Sequence, residues 1–209
     1  MTTPHSALRT PHFRPVIGLL GGIAAGKSLV AAQFAELGCA VVDADALGHE
    51  LLGEPAIRRT LLEKFGKGIL DASGAVDRRR LGRLAFADPE SIAALESVLH
   101  PKLRRRVTEA VQSARRTEAP AVILDAALIL EKGLDRLCDV LVYIEAPEEA
   151  RRSRAAIARN WESSEIARRE ATQVSLKVKR ERADYTIDNR TSPEHTFEQV
   201  RTILSHVLR

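Results

Sequence analysis

Residues 21–28 spell Gly-Gly-Ile-Ala-Ala-Gly-Lys-Ser and satisfy G-x-x-x-x-G-K-[ST] at every required position. The motif stands directly between an apolar run, residues 16–20, and a helical pattern over residues 27–37. Strand, glycine-rich turn and helix in that order commit a chain to βαβ units, because a helix leaving a strand this way packs back onto a parallel sheet. Small residues let the turn curl so that successive N–H groups point at phosphate oxygens, and the helix N-terminus adds its positive dipole end to the same anion.

Further short apolar runs fit that layout: residues 40–42 ending at Asp43, residues 121–125, residues 140–144 and, last, residues 185–187. Between the second and third runs, about residues 47–117, the pattern is helical, with a glycine-containing loop over residues 66–74 and Pro101 expected to break the helix. A helical insertion leaving the carboxyl edge of a sheet is well placed to cover a second substrate. Beyond Pro147 Arg-rich helical sequence continues to about Arg182, and Pro193 opens a terminal helix. A length of 209 residues suits one domain, residues 16–209, carrying an inserted subdomain. With aromatics at 4%, its core must rest on aliphatic side chains. Residues 1–15, with Arg9 and Arg14 and no acid, are expected to form a disordered tail.

The net charge of +4 attracts anions without choosing among them. Cys39 and Cys138 form no C-x-x-C pair, which excludes a disulfide framework or a cysteine zinc site and fits a reducing cytoplasm. No apolar run approaches the roughly 18 residues of a membrane span, so no membrane partner is expected. A GTPase would need Asn-Lys-x-Asp, which is absent, and Asp71-Ala72-Ser73-Gly74 matches D-x-x-G by letter only, inside the helical insertion. A noncatalytic nucleic-acid module, with Arg runs on phosphates and a vestigial loop, is disfavoured by scarce aromatics and by the lack of any nucleic-acid motif.

Within the loop, Lys27 is expected on the β- and γ-phosphates of ATP and Ser28 on Mg²⁺. Asp43 and Asp45 follow the second strand, at the edge where open parallel sheets bind ligands. Strand alternation would turn one toward the site and tie the other to backbone or basic groups. Asp45 is assigned as general base or orienter of an attacking hydroxyl, the alternative being a helix cap. Asp125 ends its strand as a carboxylate suited to hold magnesium through water, or as a simple turn residue. The arginines between Arg151 and Arg169 could belong to a mobile lid that brings guanidinium groups to the phosphate, or to a solvated helix face.

In this order the motifs resemble the dephospho-CoA kinase family from Val16 to the last helix. The phosphate loop, then Asp43-Ala44-Asp45 with His49-Glu50, Phe65-Gly66, Asp77-Arg78, Leu81-Gly82, Phe86 and His100-Pro101 run collinear with the family. Leu128 to Glu131, Gln173 with Lys179, and Ala183-Asp184 with Ile187-Asp188-Asn189 complete the series. The resemblance implies an α/β, three-layer P-loop NTPase fold of adenylate-kinase type with a five-stranded parallel sheet, a helical coenzyme-binding insertion at about 47–117 and a lid at about 150–175. It also implies ATP-dependent phosphorylation of the 3′-hydroxyl of dephospho-CoA; a monomer is expected, with an oligomer left open, and no nucleic-acid partner. Asp45 then matches the family's catalytic base, and Gly21, Gly22, Ile23, Ala24, Ala25, Gly26, Lys27, Ser28 and Leu29 its nucleotide site. His49, His100 and Glu131 become candidate coenzyme-side or structural positions. The family's lid Arg-Asp pair has its nearest counterpart where Arg159 meets Asn160, so Arg154 and Arg159 both stand as candidate catalytic arginines. Another small-molecule kinase of the same fold, acting on a nucleoside monophosphate, would carry the same loop.

Overall fold

The computed structural model describes residues 14–85, 87–159 and 161–209, with Arg159 and Ser163 described by their backbone alone. Phe86, Asn160 and the first thirteen residues of the expected tail lie outside the described residues. Strand β1 (Val16–Gly21) leads through the glycine-rich turn to helix α1 (Lys27–Glu36), followed by β2 (Ala40–Asp43). Helices α2 (Ala44–Gly53), α3 (Pro55–Phe65), α4 (Arg78–Ala85) and α5 (Pro89–Ala114) precede β3 (Val122–Asp125) and β4 (Val140–Glu145). Helices α6 (Glu148–Arg159), α7 (Ser163–Ala171) and α8 (Leu176–Glu181) then lead to β5 (Tyr185–Asp188) and α9 (Pro193–Val207).

Among the described residues the strands form one five-stranded sheet in the order β2-β3-β1-β4-β5, parallel throughout. Every residue of β1 is buried, as a central parallel strand covered on both faces requires. Ile17 and Leu19 pack with Val30 and Phe34 of α1 and with Val200 and Ile203 of α9. Val16 and Leu20 pack into the other layer, with Val107 and Val111 of α5. The sheet thus separates two aliphatic cores, and its central strand delivers the phosphate loop to the carboxyl edge.

The insertion has a small core of its own, built on Leu52, Ile57, Leu61, Ile69 and Leu81. Leu95, Val98 and Leu99 at one end of α5 pack on that core, while Val107 and Val111 at the other end belong to the sheet layer. Pro101 lies inside this helix and does not break it, contrary to the expectation from sequence. An interior proline costs roughly 3 kcal/mol. Burying Val107 and Val111 returns about 1.5–3 kcal/mol each, so a helix anchored in two cores tolerates it.

The expected tail also ends sooner than its composition suggests. The Arg14 guanidinium donates to the carbonyls of Ala119 (3.0 Å) and Arg115 (3.1 Å), and the Val122 amide donates to the Pro15 carbonyl at 2.9 Å. Pro15 therefore extends the β1–β3 ladder by one bond, Arg14 is held by its side chain, and both belong to the domain.

Candidate active site

The turn after β1 is held in a conformation that few residues adopt. Gly26, at the head of α1, has φ 102°, and Ala24 has φ 55°. The second value is uncommon for a residue with a Cβ. No side chain caps α1 and no acidic residue stands in its first turn. Its leading amides are left for an anion, with nothing negative on the helix to compete. The Lys27 ammonium lies across the turn, donating to the Gly22 carbonyl at 3.2 Å. Ser28 and Leu29 follow on the exposed side of α1.

Three carboxylates gather beside this turn. Asp43 and Asp125 are Cα partners at the carboxyl ends of adjacent strands β2 and β3. Asp43 caps α2, accepting from the Ala46 amide at 2.9 Å. Asp45 sits in the first turn of that helix, so strand alternation does not separate the two aspartates as expected. β2 ends at Asp43, and the helix that Asp43 caps carries Asp45. The Ser28 hydroxyl donates to the Asp125 carboxylate at 3.3 Å.

Desolvation raises Asp45 above the usual carboxylate range, with repulsion from Asp43 adding to it and the Lys27 charge opposing it. Asp125 is also raised by desolvation, against the pull of Lys27 and with repulsion from Asp43 and Asp45. The Lys27 charge therefore acts on both carboxylates. A hydroxyl oxygen and a half-buried carboxylate side by side are hard oxygen donors, a fitting start for Mg²⁺, which needs few protein ligands.

Helix α6 brings two arginines close to the turn. Arg154 donates through Nη2 to the Asn189 carbonyl at 3.3 Å, while its buried Nη1 has no hydrogen-bond partner among the described residues. A Cβ added at Gly26 would stand 3.9 Å from that nitrogen. The unsatisfied donor is thus aimed at the phosphate turn. Arg159 closes α6, and its side chain lies outside the described residues.

Arg151 is buried, at 5% exposure. Its Nη1 donates to the Ile23 carbonyl at 3.4 Å and is ion-paired with Glu170 of α7. Gly22 has to be glycine here, since a Cβ would come within 2.7 Å of that guanidinium. From the end of β5, Asn189 donates through Nδ2 to the Ala25 carbonyl at 2.7 Å.

The remaining residues singled out from sequence are engaged with other parts of the chain. Glu131 pairs with Lys179 of α8 at 3.1 Å and accepts from the Val174 amide at 2.8 Å. The buried Lys179 ammonium also donates to Gln173 Oε1 at 2.9 Å. His100 on α5 lies 3.2 Å from the Lys132 carbonyl, and His49 on α2 lies against Arg78. Sequence reasoning named Arg151 only within a run of possible lid arginines and Asn189 only within a family motif, and placed neither behind the turn. An arginine in a charged run carries no sign that it will be buried, and Asn189 acts at a contact 164 positions away along the chain.

A phosphate loop at the carboxyl end of the central strand, facing aspartates from neighbouring elements, defines a P-loop phosphotransferase of the small-molecule kinase class. The sequence profile of the dephospho-CoA kinase family matches residues 15–194. A dephospho-CoA kinase of Symbiobacterium thermophilum is 41% identical over 88% of this chain and 78% of that protein. One of Bacillus licheniformis is 38% identical over 90% of this chain and 94% of its own. A crystal structure from Thermus thermophilus superposes with a TM-score of 0.80 at 33% identity, covering 93% of this chain and 98% of that one. The chain belongs to the dephospho-CoA kinase family. Among the described residues no helix is long and apolar enough to cross a membrane.

Proposed function

We propose that the protein transfers the γ-phosphoryl group of ATP to the 3′-hydroxyl of dephospho-CoA, giving coenzyme A and ADP. The observation that carries this reading is the phosphate turn itself, where Lys27 lies across the turn on the Gly22 carbonyl and Ser28 donates to Asp125, with the Lys27 charge acting on both Asp45 and Asp125. One cation and two carboxylates at that point can serve both halves of a phosphoryl transfer. The turn's amides and Lys27 bind the anionic donor, and a carboxylate receives the acceptor hydroxyl.

Asp45 is the proton acceptor in this reading. Its carboxyl stands at the start of a helix and accepts from the Ala127 amide instead of capping that helix as Asp43 does, and desolvation makes it a better base than an ordinary carboxylate. Lys27 holds the β- and γ-phosphates, with residues 21–29 lining the nucleotide. Arg154, whose buried Nη1 lacks a partner among the described residues and lies beside Gly26, is assigned to the phosphates, with Arg159 as the second lid arginine. Ser28 and Asp125 would hold Mg²⁺, which when bound neutralises phosphate charge.

The insertion is assigned to the coenzyme and residues of about 150–175 to the lid. His49, next to Arg78 on the insertion, is assigned to the coenzyme side. His100 and Glu131, each already engaged within the protein, are assigned structural roles.

The deciding experiment follows ADP release with Mg-ATP and alternative acceptors. Release should depend on dephospho-CoA and ignore nucleoside monophosphates. Stimulation by a nucleoside monophosphate with none by dephospho-CoA would overturn the assignment.

A further inference from the structure

We propose that Asn189 and Arg151 are positioning residues that set the phosphate turn from behind, by holding the carbonyls of Ala25 and Ile23 so that the amides of the same peptide units face the nucleotide. The inference deepens the reading of this turn as the ATP site and rests on it.

A trans peptide unit carries its C=O and the following N–H on opposite sides of one rigid plane. Drawing the Ala25 carbonyl toward Asn189 Nδ2, at 2.7 Å, therefore turns the Gly26 amide the other way. Drawing the Ile23 carbonyl toward Arg151 Nη1, at 3.4 Å, does the same for the Ala24 amide. Two alternate amides of the turn are aimed by side chains that lie on the opposite side of the backbone from the anion.

The conformation so held needs holding. Ala24 at φ 55° occupies a region that side chains with a Cβ seldom visit. Both glycines that flank the turn leave room for the clamps. A Cβ at Gly26 would lie 2.2 Å from Asn189 Nδ2, and one at Gly22 would lie 2.7 Å from Arg151 Nη1.

The clamps are themselves anchored. The Asn189 amide donates to the Glu145 carbonyl at 2.9 Å, tying it to the end of β4. Its Oδ1 accepts from the Thr196 hydroxyl on α9 at 3.2 Å. Arg151 is fixed by its ion pair with Glu170, which belongs to the lid. The Asn189 carbonyl also receives Arg154 at 3.3 Å. The arrangement of the turn and the seating of the lid thus share partners.

The test compares Asn189→Asp, which keeps the shape but sets an acceptor against the Ala25 carbonyl, with Arg151→Gln and Arg151→Met. KM is measured separately for ATP and for dephospho-CoA, alongside ATP binding by calorimetry and the melting temperature. Asn189→Asp should raise KM for ATP by about tenfold or more, as misaimed amides would, and leave KM for dephospho-CoA within about twofold. Arg151→Gln, which retains an N–H donor, should lie nearer the wild type than Arg151→Met. If the aspartate variant does not fold, Asn189→Ser replaces it, and the two Arg151 variants decide independently. Equal rises in both KM values, or unchanged ATP binding in every folded variant, would overturn the proposal. A wild-type protein that failed to bind ATP would instead overturn the reading of the turn itself.

Discussion

The phosphate turn and the segment proposed as the lid meet at Gly22, where Glu170, Gln173 and Leu176 border the same cavity, and they are held by opposite means. The turn rises from a fully buried strand, and buried donors from α6 and from the end of β5 take its carbonyls. The helices α6 and α7 carry most of their charge outward. Arg152 pairs with Glu148, Arg168 and Arg169 with Glu165, and Arg169 also covers the Trp161 ring at 4.2 Å. Exposed pairs of this kind contribute little and reform easily. An anion site works best when its dipoles are in place before the charge arrives, whereas a lid has to open and close. The contrast between rigid backing and loose surface ties matches those two demands.

The proposed lid returns to the core through a buried tie, Lys179 with Glu131 and Gln173, and the largest effect is expected there. Lys179→Met should cost about 3–5 kcal/mol, because it leaves the Glu131 carboxylate buried and unpaired. Pairing it with Glu131→Leu should recover much of the loss. Urea titration of both variants decides this, and a small loss in the single variant would place the lid's root among the loose elements.

Asp45→Asn tests the rigid side. Transfer should slow by about 10²-fold or more while ATP binding by calorimetry stays close to that of the wild type. Unchanged turnover would remove Asp45 from the role of base.

A smaller effect concerns the core under the turn. Burial pushes the Cys39 thiol up to about 11 from an ordinary 9.0. Folding therefore favours the neutral thiol, and its contribution to stability is complete below pH 9 and is lost as pH rises toward 11. Urea midpoints should fall across that window less in Cys39→Ala than in the wild type, and native Cys39 should resist iodoacetamide at pH 8. Rapid alkylation of the folded protein would show the core to be looser than the turn requires.

The smallest change is expected from Arg152→Ala, which removes the exposed pair with Glu148 and should shift stability by about 0.5 kcal/mol or less. A loss comparable with that of Lys179→Met would erase the distinction between surface and root.

How far this was legible depended on the reach of each signal. The five strands, the phosphate turn and the aspartates after β2 are written in short stretches of chain, where apolar runs and turn residues act on their immediate neighbours. Pro101 shows the opposite case. Its local rule predicts a break, but α5 is held in two cores whose residues lie far apart in sequence. The same holds for Arg14 and Pro15, which resemble a tail by composition and are ordered by contacts with residues 115–122.

The amino-acid order alone determined that this chain binds a polyphosphate at the edge of a parallel sheet, since backbone amides, Lys27 and the start of α1 are contiguous in the chain. Tertiary structure decided what stands behind that turn. Arg151 and Asn189 reach it across 128 and 164 positions, and Lys179 is buried against Glu131 from a separate element. A charged or amide side chain looks the same in sequence whether it ends in water or in the interior. Packing of distant elements determines which, and so determines whether it is a surface group or a fixed donor.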